Sequence, residues 1–395
     1  MPFADTANSS LAFIEEVTFD TAPTTGFKLL RNTGESMNTG LESAQSEEID
    51  ADRQFTGSVH VSGSSAGDVN LQLSYGEYDA FLEAVLQSAD WAAGYSDTIT
   101  VIATRLCTVT STTGLKVGMI LKITSLTTSA DDGVYTVEAV NSSTTFTVVE
   151  AITDIGSETG TVIHDGSLEN ASVDRSFSFE KNFDVGGTDN FFLMTGMKIA
   201  SMSLSFAAGA IVNGSFSFMG ATGSASAAVS QEASAYAAAG TNELMNGVSN
   251  VEGLTLNAVS LAGAFTPIAA TFQELSLTVD NNLRDQTAVG SLFPAGIGSG
   301  RIKVEASSTL YFANQDLFDK FIINDSVQLR FQITDAADAY GNRYGFILPE
   351  LKISSHEVVA SGPDSDVLAT VTFSAQKDNR SGTSKSIIIS RIAAV

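Results

Sequence analysis

The sequence predicts a mostly β protein in which one strand unit with a short flanking helix is used twice, plus an inserted small β-barrel or Ig-like/SH3-like module. Three observations carry this. Thr, Ser, Val, Phe and Gly recur along all 395 residues while strong helix formers are thin, a composition that favours strands joined by turns. Two distant stretches share one plan: an acid-and-Arg segment, a Gly-rich turn, an alternating strand and a short aromatic helix. In the first, Glu48, Asp50, Asp52 and Arg53 precede Gly67 to Leu73, then Tyr78, Phe81, Leu82, Val85 and Leu86. In the second, Leu277 to Arg284 precede Gly300 to Val304, then Leu317, Phe318, Phe321 and Ile322. A repeat of this size means one supersecondary unit used twice, which points to assembly rather than catalysis. The third observation is a change of texture between about 96 and 165, where short β-rich runs alternate with Gly, Asp and Asn turns.

Residues 1 to about 45 read as an extended arm, with short strands near Leu11 to Ile14 and a turn at Thr21 to Thr24. Val59-His60-Val61 and Val69 to Leu73 alternate apolar with polar side chains, so each presents one face to a core. From Tyr75 to Asp90 the apolar spacing becomes three and four, the pattern of an amphipathic helix on a sheet. Removing 96–165 would join that helix to Asp174 to Lys181, so the barrel reads as an insertion on the exterior. Gly196 to Phe206 and Ile211 to Phe218 read as an alternating hairpin. The Ala- and Ser-rich stretch from Gly220 to about Gly240 reads as a flexible loop or a segment ordered by a neighbour. The tail, Ser386 to Ile392, reads as a strand that pairs with another subunit. The expected domains are therefore 1–95 with 166–268, the insertion 96–165, and a second unit, 269–395.

Forty-five acids against 20 bases give a net charge of -25, yet only 16% of residues are charged. The folded body is thus negative at its surface and repels phosphate. The single Cys107 excludes an internal disulfide framework, and three scattered histidines (His60, His164, His356) make a His-based metal site improbable. The N-terminus lacks the features of a signal peptide and no apolar run would span a bilayer, so the expectation is a soluble protein made in the cytoplasm.

Chemistry is hard to find. Gly296 to Gly300 is followed by a strand, whereas a phosphate cradle opens a helix, so it reads as a turn. Asp131-Asp132-Gly133 lacks the closing Glu of a calcium loop. No nucleophile elbow is present, and paired acids are uninformative in so acidic a chain. No catalytic residue, cofactor or metal is expected. Arg53 and Arg284 occupy matching places in the two motifs, near Asp50 and Asp52 and near Asp280 and Asp285, and are candidates for ion pairs between subunits.

Taken together, the segments Leu30 to Ser36, Glu48 to Gln54, Leu73 to Asp79, Phe177 to Lys181, Thr195 to Leu204, Leu277 to Asn281 and Gly300 to Val304 resemble the tail tube proteins of long non-contractile-tailed bacteriophages (siphophages). They occur in that family's order and span nearly the whole chain outside the insertion. The resemblance implies a structural virion protein with no catalytic motif, built from duplicated tail-tube-type β-sandwich or barrel units with short flanking helices. Its strands would join those of neighbours into rings stacked as a hollow tail tube for DNA ejection. With six units of four strands, spacing of ~4.8 Å and tilt of ~40° give a backbone diameter of roughly 45 to 50 Å. The ring would hold three chains of two units each, or six if the second copy is only an echo. Implied partners are a tape-measure protein and the tail tip and tail terminator proteins, with assembly in the host cytoplasm. Acids facing the lumen would let double-stranded DNA slide without being held; the candidates are Asp50, Asp52, Asp68 and Asp280. The competing reading is a surface-layer or adhesin-like β-protein, which should carry an export signal.

Overall fold

A computed structural model describes residues 3–49, 54, 56–92, 94–126, 128–153, 158–224, 227–259, 265–336, 341–360, 362–379 and 383–394. The chain begins with β1 (Ser9–Glu15), β2 (Lys28–Leu29), β3 (Gly34–Glu35), β4 (Asn38–Gln45), β5 (Ser58–Gln72) and helix α1 (Asp79–Val85). Six strands follow: β6 (Tyr95–Ala103), β7 (Leu106–Thr108), β8 (Ile120–Thr124), β9 (Gly133–Val140), β10 (Thr145–Val148) and β11 (Glu158–His164). Next come β12 (Ser167–Glu169), β13 (Phe177–Asp184), β14 (Asp189–Ala207), β15 (Asn213–Gly220) and β16 (Thr222–Gly223). The remainder is β17 (Val251–Val259), β18 (Phe265–Ile268), β19 (Thr271–Asp280), β20 (Arg284–Gln286), β21 (Gly296–Gly298), β22 (Lys303–Tyr311), α2 (Asp316–Ile322), β23 (Ser326–Thr334), β24 (Arg343–Ala360), β25 (Val367–Ala375) and β26 (Ile388–Ile392).

The fold is mostly β, and its plan repeats. In the first repeat β13 opposes β14 with Phe177 against Met197 and Phe179 against Met194; in the second, β23 opposes β24 with Val327 against Leu351 and Leu329 against Leu348. Both ladders carry a bulge at the same step. The bulge of β14 against β15, between Ile199 and Ser201, recurs in β24 against β25, between Ile353 and Ser355. Such bulges bend a strand, and each long strand pairs with one set of neighbours through its N-terminal half and another through its C-terminal half. The helices end alike, on Gln87 (φ 47°) and Asn324 (φ 52°), residues in the left-handed region that stops a helix. Likewise β1 pairs with β13 and β2, as β17 pairs with β23 and β18.

This pairing moves the start of the second repeat. Sequence placed it at 269, but β17 and β18 hydrogen-bond with the second repeat, so it begins at Val251. Gly67 is not a turn either: it lies inside the long strand β5, where a Cβ would come 2.4 Å from the Met37 Cα. Glycine is required for that close approach.

The repeats differ most after the helix. The second passes from α2 to β23 through 323–325 alone, whereas the first spends 86–176 there. That stretch contains a closed barrel in the order β10-β7-β6-β11-β8-β9, with its own core of Ile99, Val101, Leu121, Ile123, Phe146 and Val162. Closure leaves no strand edge open to further pairing. Cys107 lies inside, and burial pushes its thiol up to about 12. The barrel rests on the second repeat, with Gly118 directly under Ile347.

The main core centres on Phe81 of α1, whose ring meets Phe13, Phe177, Phe179, Phe216 and Phe218 at 4.7–6.0 Å. Two expectations about loose segments are overturned. β26 pairs with β24 and β12 of its own chain rather than with another subunit. It is fixed there by Arg391, which stacks 4.4 Å over Trp91 and pairs with Asp79 of α1. The Ala- and Ser-rich stretch is ordered within the chain, at least in its described residues: Ser230 Oγ and the Gln231 amide donate to Glu180, each at 2.6 Å. The Phe27 amide donates to Glu232 at 2.7 Å.

Candidate functional site: a polar sheet face between two open edges

The two repeats are joined edge to edge. The C-terminal half of β14 runs antiparallel to β19, from Ser201 opposite Asp280 to Ala207 opposite Glu274. One sheet therefore continues through β4, β5, β15, β14, β19, β22, β25 and β24.

Its two faces differ sharply, as period-two alternation dictates. One carries Leu71, Phe216, Leu204, Leu277, Ala306 and Val371, all buried. The other carries hydroxyls: Ser201, Ser203, Ser205, Ser215, Ser217, Ser276, Thr278, Ser307, Thr309, Thr370 and Thr372, half-buried or exposed. Between them stand Asp68, Glu274, Asp280, Glu305 and Glu357. Lys303 on this face is paired with Glu305 at 2.9 Å. Asp68 accepts from Ser217 Oγ across the β5–β15 ladder, and Asp280 accepts from the Asn282 amide at 2.7 Å. Both helices pack on the opposite, apolar side.

The junction is sealed by apolar contact and by amides. Phe206 is buried, with ring centroids 4.9 Å from Phe331 and 6.0 Å from Phe346. Asn281 donates at 3.0 Å to the carbonyls of both Val85 and Ile199, tying the second repeat to the end of α1. The Gly63 amide donates to Leu292 at 2.9 Å, so the β20–β21 hairpin of the second repeat lies along β5.

At the outer ends of this sheet the same edges are open. Among the described strands, β4 pairs only with β5, and the C-terminal half of β24 only with β25. Apolar side chains are exposed at both ends: Leu41, Val59 and Val61 on the β4–β5 hairpin, and Phe318, Ile322, Ile323, Val358 and Val359 beside β24. In the joined positions of the repeat, the counterparts Phe81, Val85, Leu86 and Leu204 are buried.

Of the sequence candidates, Asp68 and Asp280 fall together on the polar face. Asp50, Asp52 and Arg53 lie outside the described residues. Arg284 is exposed on β20 and donates to the Ser299 carbonyl at 3.2 Å. Arg284 lies beyond the end of β19 at Asp280, so among the described strands no ladder relates it to β4. Sequence reasoning missed the open edges and the Glu35–Lys181 pair at 2.8 Å that stands beside one of them. Their signal was present in Leu30 to Ser36 and Phe177 to Lys181, segments noted for resemblance but not for contact.

A duplicated unit with two open strand edges and a polar, one-sided sheet face has the features of a structural protein that assembles with copies of itself. The chain matches the phage tail tube protein family over residues 6–375, and it belongs to that family. It is thus a structural component of a virion tail that self-assembles into the tail tube. No curated protein matches it in sequence.

Proposed function

We propose that this chain builds the tube of a long non-contractile tail, with three copies closing a ring of pseudo-sixfold symmetry and stacked rings enclosing the path of the genome. The observation that carries this is the β14–β19 junction, which joins the end of one repeat to the start of the next while the equivalent end and start remain open. Repeating one junction around an axis closes a ring and removes its edges. Three chains of eight strands give a barrel with a backbone diameter of roughly 45 to 50 Å, wide enough for a duplex.

Because the helices, the second strand layers and the barrel stack on the apolar side, the hydroxyl face lines the lumen. Hydroxyls with scattered acids give DNA no array of cations to bind, so phosphates release no counterions and the genome slides. Asp68 and Asp280 are the lumen acids in this reading. The inserted barrel sits outside, and the tape-measure, tail-tip and tail terminator proteins are the partners that set length and ends, assembled in the host cytoplasm. Negative-stain microscopy of the purified protein should show stacked hollow rings with three chains per ring by mass; monodisperse monomers at all concentrations would overturn the reading. Asp68→Lys with Asp280→Lys should still form tubes but slow DNA ejection, and unchanged ejection kinetics would remove the role given to these acids.

A further inference from the structure

We infer that the open edge of β3–β4 is held shut in the free chain by its own Glu35 and Lys181, and that the segment which opens it is the C-terminal half of β24 from a second copy, in the register of the β14–β19 junction. The inference rests on the ring reading above and adds the register and a guard.

Met37 is the counterpart of Leu277. At the filled junction Leu277 stands opposite Leu204, in the hydrogen-bonding phase fixed by the Asn281 amide to Ala200 and the Ala208 amide to Gln273. In the free chain the same two backbone groups of Met37 are taken by side chains. Its amide donates to Glu35 Oε2 at 2.8 Å, and its carbonyl accepts from Lys181 Nζ at 2.6 Å. Glu35 and Lys181 also pair with each other at 2.8 Å. The two residues thus imitate a neighbouring strand. Their counterparts in the second repeat, where a strand is docked, are the apolar Leu275 and Phe331, which receive Phe206.

Beside the guard lies a groove of about 770 Å³ lined by Thr33, Gly34, Glu35, Lys181 and Arg31. The first four are the counterparts of Gln273, Glu274, Leu275 and Phe331, the residues that Phe206 to Ala208 meet at the filled junction. By the same count the groove takes Ala360 and, further along, the turn at 362–366. That turn is exposed and carries Asp364 and Asp366, and continuing the register brings it beside Arg31, so the charges are complementary. Leu41 takes the place of Asn281 and falls on Ile322, matching one exposed apolar side chain with another. The pairs become His356 with Thr39, Val358 with Met37 and Ala360 with Glu35 of the second copy.

An edge guarded by charged side chains resists wrong pairing, and docking must displace the guard. The register places Glu357 opposite Asn38 of the next copy in a non-hydrogen-bonded pair, the geometry closest to that of a disulfide. A Glu357→Cys, Asn38→Cys variant, with Cys107 buried, should on oxidation of tubes give a covalent trimer on a non-reducing gel. Glu357→Cys with Gly40→Cys should not. Tubes that cross-link only in the shifted pair, or in neither, overturn the register while leaving the tube reading intact; absence of tubes from the unmodified protein overturns both. For the guard, Lys181→Gln should shorten the assembly lag roughly 2- to 5-fold, the scale of a single ion pair. Added salt screens repulsion between these acidic chains in both proteins, but it should shorten the lag of the unmodified chain by a larger factor than that of the variant. An unchanged or longer lag in the variant overturns the guard.

Discussion

The two repeats share a backbone plan but are covered by different things, and one position shows why. Glu180 of β13 and Arg330 of β23 are counterparts, both buried. In the first repeat the acid binds the amide of Gln231 and the hydroxyls of Ser230 and Tyr236, so the polar 230–236 segment folds over that face. In the second the guanidinium faces Glu150 and Glu138 of the inserted barrel, whose charges oppose the lowering of its pKa by burial. Arg330 also donates to Thr255 Oγ1 at 2.9 Å. The sign of the charge at this one position matches the cover that each repeat receives, because burying a charge costs least under groups that pair with it.

The largest effect should come from the joined edge. Phe206→Ala removes the ring that fills the junction against Phe331 and Phe346, and should lower the unfolding free energy by about 3–5 kcal/mol in denaturant titration. At the open counterpart, Ala360→Asp should leave the monomer within about 0.5 kcal/mol of the parent, as surface changes do, yet prevent rings in the microscope. Normal rings from Ala360→Asp would break the equivalence of the two edges. Next in size, Arg330→Glu sets an acid against Glu150 and Glu138 and should destabilise by about 3 kcal/mol, with the barrel becoming protease-sensitive first. Equal protection of the barrel would mean that charge does not choose the cover.

The smallest concerns the seam where the barrel meets the second repeat. His164 is buried there with Nδ1 3.0 Å from the Ile120 carbonyl, and burial lowers its pKa below 6.5. The unfolded chain therefore binds the extra proton first. Stability is full above about 6.5 and is lost as pH falls from there through the folded value, by at most about 1.4 kcal/mol per pH unit. His164→Gln should flatten that part of the pH profile relative to the parent, measured as midpoint against pH. Identical profiles would place the acid sensitivity elsewhere, on the carboxylates.

Much of this was legible in the residues themselves. Alternation in Leu71 to Leu73 and Ser201 to Phe206 marks strands with one buried face, since side chains on a pleat point in turn to opposite sides. The change of spacing at Tyr78 to Leu86 marks α1, and the texture from 96 to 165 marks the barrel, because both are local patterns. The repeat was also visible, though its register was not. Met37 and Leu277 lie in segments that the sequence motif did not align, and their correspondence is set by ladder bonds between strands far apart in the chain. The same limit explains β26, whose apolar run announces a strand without saying which edge will take it. Composition, periodicity and the repeated motif determined that this is a β-protein built from one unit used twice, and the family resemblance added that it assembles. Only the tertiary structure decided which edges are joined, which stay open and that Glu35 and Lys181 bond the backbone of Met37, because those facts rest on contacts between residues that sequence spacing does not relate.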